Sequence, residues 1–206
     1  MKKKSSTTYL KSPKNEKPHF KSASKFAKLN REGFKPKGFK IYTFNAGFKK
    51  KYDDLLIIIF DQVVNSANFY SKTSMPSAPI IWDKKYNRGK VKGLIVNAGN
   101  ANAHTGDKGL RIIDQYVESL SKKINCKKNE ILVSSTGVIG ELFDPKLIIK
   151  QILQIDKQKN KNLFQAAKAI MTTDTYPKIV SKKIVINNKN IKIYGIAKGS
   201  GMIMPN

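Results

Sequence analysis

The sequence contains little cysteine and histidine, and each shortage excludes a class of function. A single cysteine, Cys126, leaves no intrachain disulfide and no cysteine zinc site. It directly follows an amphipathic helix and has no matched base, so we expect no catalytic role for it. Only two histidines are present. His19 falls in a basic N-terminal segment, so a Ser–His–Asp triad would depend on His104, and no metal-ligand spacing is found.

Long apolar runs are also absent. The longest, residues 55–60, has the length of a strand and not the roughly 20 residues of a membrane span. The N-terminus lacks the apolar core of a secretory signal. We therefore expect a soluble, cytoplasmic protein with no membrane partner. Import into an organelle remains an alternative because acidic residues are scarce near the N-terminus, although its basic residues are almost all lysine.

Arginine is scarce too, which bears on the charge. The chain carries 40 basic and 14 acidic residues, a net charge of +26, and such a charge is typical of nucleic-acid binding. Only Arg31, Arg88 and Arg111 can make bidentate contacts to phosphate or guanine. The lysines accompany abundant Asn and Ile, which indicates a drift in coding composition and not a binding surface. We expect no specific nucleic acid partner, and a nucleic-acid-binding protein remains a rival hypothesis.

The chain divides into two parts. Residues 1–33 are basic, contain scattered Pro and Ser, and show no helical or strand period, so they are predicted to be a disordered tail. Residues 34–206 are predicted to be one domain in which strands and helices alternate, an α/β fold.

The strand predictions rest on apolar runs and alternation, and the helix predictions on apolar stripes and capping residues. Strands are predicted at 39–44, 54–60, 91–96 and 131–135, and a hairpin at 179–186 and 191–195 turns at 187–190. Residues 78–82 are predicted to form a short helix or strand. One helix presents a stripe of Leu110, Ile113, Val117, Leu120 and Ile124, with Thr105 as N-cap and Asp107 in its first turn. Two more follow, one opened by Asp144-Pro145 and one spanning 162–171.

Four segments are richer in Gly, Asn, Ser and Thr than connecting loops require: 97–106, 134–140, 171–175 and 197–203. Each ends a strand or helix, where backbone N–H groups and short hydroxyls are presented. A Gly-x-Gly-x-x-Gly run, a phosphate loop and a Gly-x-Ser-x-Gly elbow are all missing. The chain thus offers hydrogen-bond donors but no evident base or activated nucleophile. A partner is expected to supply them.

These four segments, in this order, resemble those of the bifunctional ornithine acetyltransferase/N-acetylglutamate synthase (ArgJ-like) family of arginine biosynthesis. Residues 97–103 resemble its Asn-Ser-Gly-Asn-Ala-Asn-Ala loop, with Ala98 in place of serine. Residues 135–140 match its oxyanion segment, and 169–178 match its Ala-Ile-Met-Thr-Thr-Asp-Thr-x-Pro-Lys run. Residues 197–206 match the run that leads to its self-cleavage point. The likeness covers roughly 38–206.

The resemblance implies a fold and a division into chains. The fold is an α/β, DmpA/ArgJ-like sandwich of sheets and helices of N-terminal-nucleophile type. Family members cut themselves before a threonine that becomes the nucleophile at the start of a β chain. This sequence is then similar to the α chain, ends about two residues before the expected cut, and is inactive alone. The family precedent for the assembly is a heterotetramer of two α and two β chains.

The resemblance also implies an activity and its residues. The expected reaction transfers acetyl from N2-acetylornithine to glutamate, with no cofactor and with acetyl-CoA as an alternative co-substrate. Thr136 and Gly137 match the oxyanion positions, the first through its hydroxyl and the second through its backbone N–H. Glycine at 137 would also let the substrate approach closely. Thr172 and Lys198 match substrate-binding positions, and a lysine suits a substrate carboxylate.

Three rival hypotheses remain open at this point. An N-terminal-nucleophile aminopeptidase of related fold would hydrolyse a peptide instead of transferring acetyl. A nucleic-acid-binding protein would keep tight, salt-sensitive binding after deletion of 1–33. A truncated fragment would have no function.

Overall fold

The computed structural model describes residues 36–199. The predicted tail at 1–33 lies outside the described residues, as do residues 200–206, which include the last part of the fourth segment. Ten regular elements follow one another along the chain: β1 Phe39–Phe44, β2 Leu55–Asn65, α1 Ala78–Tyr86, β3 Lys90–Asn100, α2 Gly106–Lys123, β4 Ile131–Val138, α3 Lys146–Leu153, α4 Leu163–Ala169, β5 Lys178–Ile186 and β6 Lys189–Ala197. Short 3-10 turns occur at Lys128–Glu130 and Ile155–Lys157. The predicted α/β class is confirmed.

The main sheet has four strands in the order β1-β2-β3-β4. β1 pairs with β2 and β2 with β3 in antiparallel fashion, whereas β3 and β4 are parallel. Parallel neighbours need a long crossover, and α2 supplies it. β5 and β6 form a separate antiparallel sheet of two strands.

Both faces of the main sheet are covered, which explains why β2 is apolar without alternation. Leu55 and Ile57 point into a cluster that also contains Trp82 of α1 and Val117 of α2. Residues Leu56 and Ile58 belong to a second cluster with α4 and the start of β5, which also contains Ile41, Leu163, Ala166, Ala169, Ile170 and Ile179. The second cluster therefore fixes α4, and with it the segment that follows α4, against the sheet.

The apolar stripe predicted for α2 is confirmed: Ile113, Val117 and Leu120 are fully buried, and Leu110 and Ile124 pack partly buried beside them. Asp107 lies in the first turn as expected. Thr105 occupies the N-cap position as predicted, although its side chain makes no capping hydrogen bond. Its hydroxyl donates instead to Asn102 Oδ1 at 2.7 Å.

The remaining helices confirm the predicted regions with small changes in their bounds. Residues 78–82, left open between helix and strand, begin the helix α1. α3 begins one residue later than predicted, with Pro145 at the N-cap position, and Asp144 Oδ1 accepts from the Lys146 N–H at 2.9 Å. α4 is shorter than the predicted 162–171, and a reciprocal capping box joins Asn162 to Gln165 at its start.

Two predicted loops are in fact paired strand ends. The small-residue loop expected from Asn97 and the turn expected after Ser135 continue β3 and β4, and Asn97 pairs with Ser135. The side-chain pattern hid this because small and polar residues carry no strand period. The hairpin turn is also tighter than predicted. Asn187 and Asn188 alone connect β5 and β6, with φ of 49° and 59°, as a two-residue turn of the primed type requires.

Within residues 36–199, no helix is long and apolar enough to cross a membrane.

A buried carboxyl group predicts how stability depends on pH. Asp83 of α1 accepts a hydrogen bond from the Val133 N–H at 3.1 Å, and burial raises its pKa to about 7. Because the folded state then binds a proton more tightly than the unfolded state, folding stability falls as pH rises from about 4 to about 7. Asp83→Asn removes this loss. We expect the stability of Asp83→Asn relative to the unsubstituted protein to rise by roughly 2–4 kcal/mol over that window.

Thermal unfolding of both proteins from pH 4 to pH 8 checks this prediction. Taking the difference between the two proteins cancels all other titrating groups. A difference that does not change with pH would show that Asp83 is already ionised at no cost in the folded protein.

Candidate active site

The ends of β3 and β4 bring two of the four Gly- and Asn-rich segments together. Because the strands are parallel, both present their carboxyl ends at the same edge of the sheet, where α/β proteins place ligands. Thr136 pairs with Ala98, and Gly137 pairs with Gly99. Asn100 then pairs with both Thr136 and Val138, so the ladder is irregular at the point where the strands end.

Three asparagines hold this irregular edge, and all three are buried. Asn97 Nδ2 donates to the Asn100 carbonyl at 2.8 Å, and Ser135 Oγ donates to Asn97 Oδ1 at 2.6 Å. Asn100 Oδ1 accepts from the Asn102 N–H at 2.8 Å. Buried polar backbone needs such partners where a strand turns away from its neighbour. The asparagines of this segment therefore build the edge and do not present donors to a ligand.

Gly137 lies against the backbone of the neighbouring strand. Its φ is 135°, and a Cβ at this position would lie 2.2 Å from the Gly99 carbonyl carbon. The sequence suggested that glycine here lets a substrate approach. The structure gives a different reason for glycine, namely the close approach of β3, and this reason holds with or without a ligand.

Three of the four predicted site residues meet, because Lys198 contacts two of the others. It directly follows β6, whereas Thr136 is in β4 and Thr172 follows α4. Lys198 Nζ donates to Thr136 Oγ1 at 2.7 Å and to Thr172 Oγ1 at 2.8 Å. Three segments separated by up to 62 positions thus meet at one ammonium group. Gly137 is adjacent to this cluster through Thr136.

The direction of these hydrogen bonds decides what the threonines can do next. An ammonium group only donates, so both threonine oxygens act as acceptors toward Lys198. Each hydroxyl proton is then left to be donated elsewhere, and a bond accepted from a cation makes the hydroxyl a stronger donor. The cluster can therefore present two hydroxyl donors and the remaining ammonium proton to an anionic ligand.

The charges around Lys198 favour such a ligand. Burial lowers the pKa of Lys198, Asp174 opposes this shift, and Lys178 adds to it. Lys49 lies near the same cluster, and burial lowers its pKa as well, with Lys198 contributing repulsion. An anion placed among these cations would be stabilised by all of them.

Two residues of this region were not singled out from the sequence. The Asp174 carboxylate accepts from Lys178 Nζ at 2.7 Å and from the Gly199 N–H at 2.6 Å. Burial alone would raise its pKa, but hydrogen bonds from Lys178, Gly199 and Thr172 outweigh burial, and the pKa lies below its usual value. Its place in the segment 171–175 was the available signal.

The second of these residues is Lys49. Its Nζ donates to the carbonyls of Met171 at 2.6 Å and Ala169 at 3.2 Å, so it ties down the chain that leads into Thr172. Asp54 lies close by. Burial raises its pKa, although hydrogen bonds from the N–H groups of Ala46 and Lys49 oppose this shift. No sequence signal distinguished Lys49, because it stands in a run of three lysines.

Comparison with solved structures defines the class of this α/β protein. It superposes on the arginine biosynthesis bifunctional protein ArgJ from Bacillus halodurans with a TM-score of 0.76 and 33% identity, over 82% of this chain and 91% of that chain. It also superposes on an ornithine acetyltransferase from Mycobacterium tuberculosis, solved with ornithine, with a TM-score of 0.74 and 27% identity, over 83% of this chain and 93% of that one.

Sequence comparison gives the same family. A profile of the ArgJ family matches residues 40–206. The arginine biosynthesis bifunctional protein ArgJ of Bartonella henselae is 42% identical over 171 residues, and that of Caulobacter vibrioides is 36% identical over 174. The chain belongs to the ArgJ family, which confirms the resemblance seen in the four segments. The matches cover 82% of this chain but only 42% and 43% of those two relatives, so the chain spans less than half the length of the curated relatives it matches.

The packing of Gly137 predicts a large and specific loss of stability. In Gly137→Ala the new methyl group would overlap the Gly99 backbone, which cannot move aside as a flexible side chain could. We expect a loss of about 3 kcal/mol or more from overpacking and backbone strain together.

Gly140→Ala is the matched control. Gly140 also has a positive φ, of 85°, but no atom lies within 4 Å of its added Cβ. It should lose only about 1 kcal/mol from backbone strain. Thermal unfolding of the two variants measures the difference in their loss of stability. Equal losses would contradict the close approach of β3 to Gly137.

Proposed function

We propose that this chain provides the oxyanion donors and substrate contacts of a glutamate N-acetyltransferase, which moves acetyl from N2-acetylornithine to glutamate in arginine biosynthesis. The observation that carries the proposal is the meeting of Thr136, Thr172 and Lys198 at one ammonium group. Membership of the ArgJ family supports it. The proposed enzyme needs no cofactor, with acetyl-CoA as an alternative acetyl donor, and acts in the cytoplasm.

The nucleophile in this proposal is the N-terminal threonine of a β chain. Its hydroxyl oxygen bonds to the acetyl carbonyl carbon while the hydroxyl proton passes to its own α-amine. The carbon–nitrogen bond to ornithine then breaks, the leaving nitrogen takes the proton, and an acetyl ester remains on the threonine. The nitrogen of the glutamate α-amine then bonds to the ester carbon and gives a proton to the α-amine of the threonine. The ester carbon–oxygen bond breaks, the threonine oxygen takes up this proton, and N-acetylglutamate leaves.

The residues of this chain act on the charges of that reaction. The hydroxyl of Thr136 and the backbone N–H of Gly137 are the proposed donors to the oxyanion that forms at the acetyl carbonyl. Because Thr136 Oγ1 already accepts from Lys198, its own proton is available for this purpose. Lys198 and the Thr172 hydroxyl are the proposed contacts of a substrate carboxylate, which an ammonium and a hydroxyl donor suit.

A partner chain is supported by the hairpin of β5 and β6. An isolated sheet of two strands is at best marginally stable, and one face of this sheet is apolar and open. On that face Val180 and Ile193 are 63% and 48% exposed, and Ile186 and Ile191 lie beside them. We propose that the β chain covers this face, in a heterotetramer of two α and two β chains.

The transfer reaction is tested on this chain assembled with its β chain. We expect acetyl transfer from N2-acetylornithine to glutamate by the assembly and none by this chain alone. Lys198→Met should lower kcat/KM by about thirtyfold or more, because a substrate carboxylate loses its charged partner. Lys192→Met, at an exposed lysine of β6, is the matched control and should leave the rate unchanged. Peptide hydrolysis without acetyl transfer would instead identify an aminopeptidase.

The proposed contact with the β chain predicts that substitutions on the two faces of the hairpin affect chain association differently. Ile193→Lys places a charge on the open apolar face and should weaken association of the two chains about tenfold or more. Val185→Lys is the matched control, because Val185 is 67% exposed but lies on the opposite face. Sedimentation of the coexpressed chains at decreasing concentration measures the association of the two chains in each variant. Equal effects of the two variants would exclude this face as the interface.

A further inference from the structure

The Asp174 carboxylate contacts both segments that carry the proposed carboxylate-binding residues. Oδ2 accepts from the Thr172 N–H at 3.2 Å, and Oδ1 accepts from the Gly199 N–H at 2.6 Å. Gly199 directly follows Lys198 in the chain. One carboxylate therefore connects the backbone of Thr172 to the backbone next to Lys198, and these two residues also meet through their side chains at 2.8 Å.

The burial of Asp174 makes this connection rigid. Its side chain is 1% exposed, and Lys178 Nζ adds a third donor at 2.7 Å. A carboxylate removed from water is tolerated only when it is paired and hydrogen-bonded, and hydrogen bonds to an ionised acceptor are the strong ones. In Asp174→Asn an NH2 group that cannot accept replaces one carboxylate oxygen, so either the Gly199 N–H or the Thr172 N–H loses its partner. The distance between Lys198 and Thr172 is then no longer fixed.

We propose that Asp174 is a positioning residue of the acetyl transfer, which holds Thr172 and Lys198 at the separation at which both contact one substrate carboxylate. This inference rests on the proposed function and assigns Asp174 no contact with substrate. It acts through the two residues that it aligns.

The charge of Asp174 has a second effect at the same place. Burial lowers the pKa of Lys198 and the nearby Lys178 lowers it further, whereas Asp174 opposes both effects. Without Asp174, Lys198 would lose its proton at a lower pH and with it the attraction for a carboxylate. Loss of the Asp174 charge therefore predicts that KM of the Asp174→Asn variant depends on pH. A loss of packing alone predicts no such dependence.

The experiment uses the assembled enzyme and compares Asp174→Asn with Asp156→Asn. Asp156 is likewise paired with a lysine, Lys123, but its side chain is 74% exposed and belongs to a different part of the fold. We expect Asp174→Asn to raise KM for N2-acetylornithine and glutamate about tenfold while kcat changes less, because carboxylate binding and not the attack is affected. The rise in KM should grow as pH increases. Asp156→Asn should match the unsubstituted enzyme at every pH.

Calorimetric binding of ornithine to the same proteins separates the two hypotheses. An unsubstituted assembly that neither transfers acetyl nor binds ornithine contradicts the proposed function. An active assembly in which Asp174→Asn keeps its KM contradicts the role of Asp174, as does a fall in kcat alone with KM unchanged at every pH.

Asp174→Glu keeps the test decisive if Asp174→Asn does not fold. It retains the charge but lengthens the side chain, so the Gly199 N–H and the Thr172 N–H cannot both keep their distances. The proposal predicts an increase of at least about threefold in KM, smaller than for asparagine and without the added pH dependence. A Glu variant that folds and has an unchanged KM overturns the proposal.

Discussion

The ammonium group of Lys198 between the hydroxyls of Thr136 and Thr172 is the interaction on which the site depends. It joins the end of the main sheet, the segment after α4 and the end of the hairpin. A lysine can do this because it donates several hydrogen bonds and accepts none. Both hydroxyls therefore keep their own protons for another acceptor, as the binding of an anion requires.

The rest of the fold supplies the rigidity that this cluster needs. Parallel pairing of β3 and β4 brings Thr136 to the sheet edge, and glycine at 137 lets the two strands approach closely there. Lys49 and Asp174 hold the segment around Thr172 from two sides, one through carbonyls and the other through an N–H. The site is thus fixed by backbone contacts as much as by packing.

Sequence reasoning reached the elements more easily than their ends. The α2 stripe could be predicted because a buried helical face repeats apolar residues every three or four positions, and Ile113, Val117 and Leu120 are buried as that pattern requires. The strand ends at Asn97 and Ser135 could not, because pairing there depends on backbone contacts with the neighbouring strand. Glycine and asparagine occur both in loops and at such an edge, so their presence in the sequence does not distinguish the two.

The same distinction applies to the site. Thr136, Thr172 and Lys198 were found through their segments, but their convergence follows only from the three-dimensional path of the chain. Lys49 could not be distinguished by sequence among 40 basic residues. Its role comes from its hydrogen bonds to the carbonyls of Ala169 and Met171. The packing reason for glycine at 137 could not be predicted either, because no sequence shows which backbone lies against it.

The most direct test of the central claim is a crystal structure of the assembled protein with ornithine bound. The account predicts a carboxylate oxygen of ornithine about 3 Å from Lys198 Nζ, with the Thr172 hydroxyl donating to the same carboxylate. Ornithine bound with its carboxylate away from Lys198, while Lys198 still contacts only the two threonines, would contradict the account. Lys198 would then be a structural bridge between segments and not a ligand for substrate.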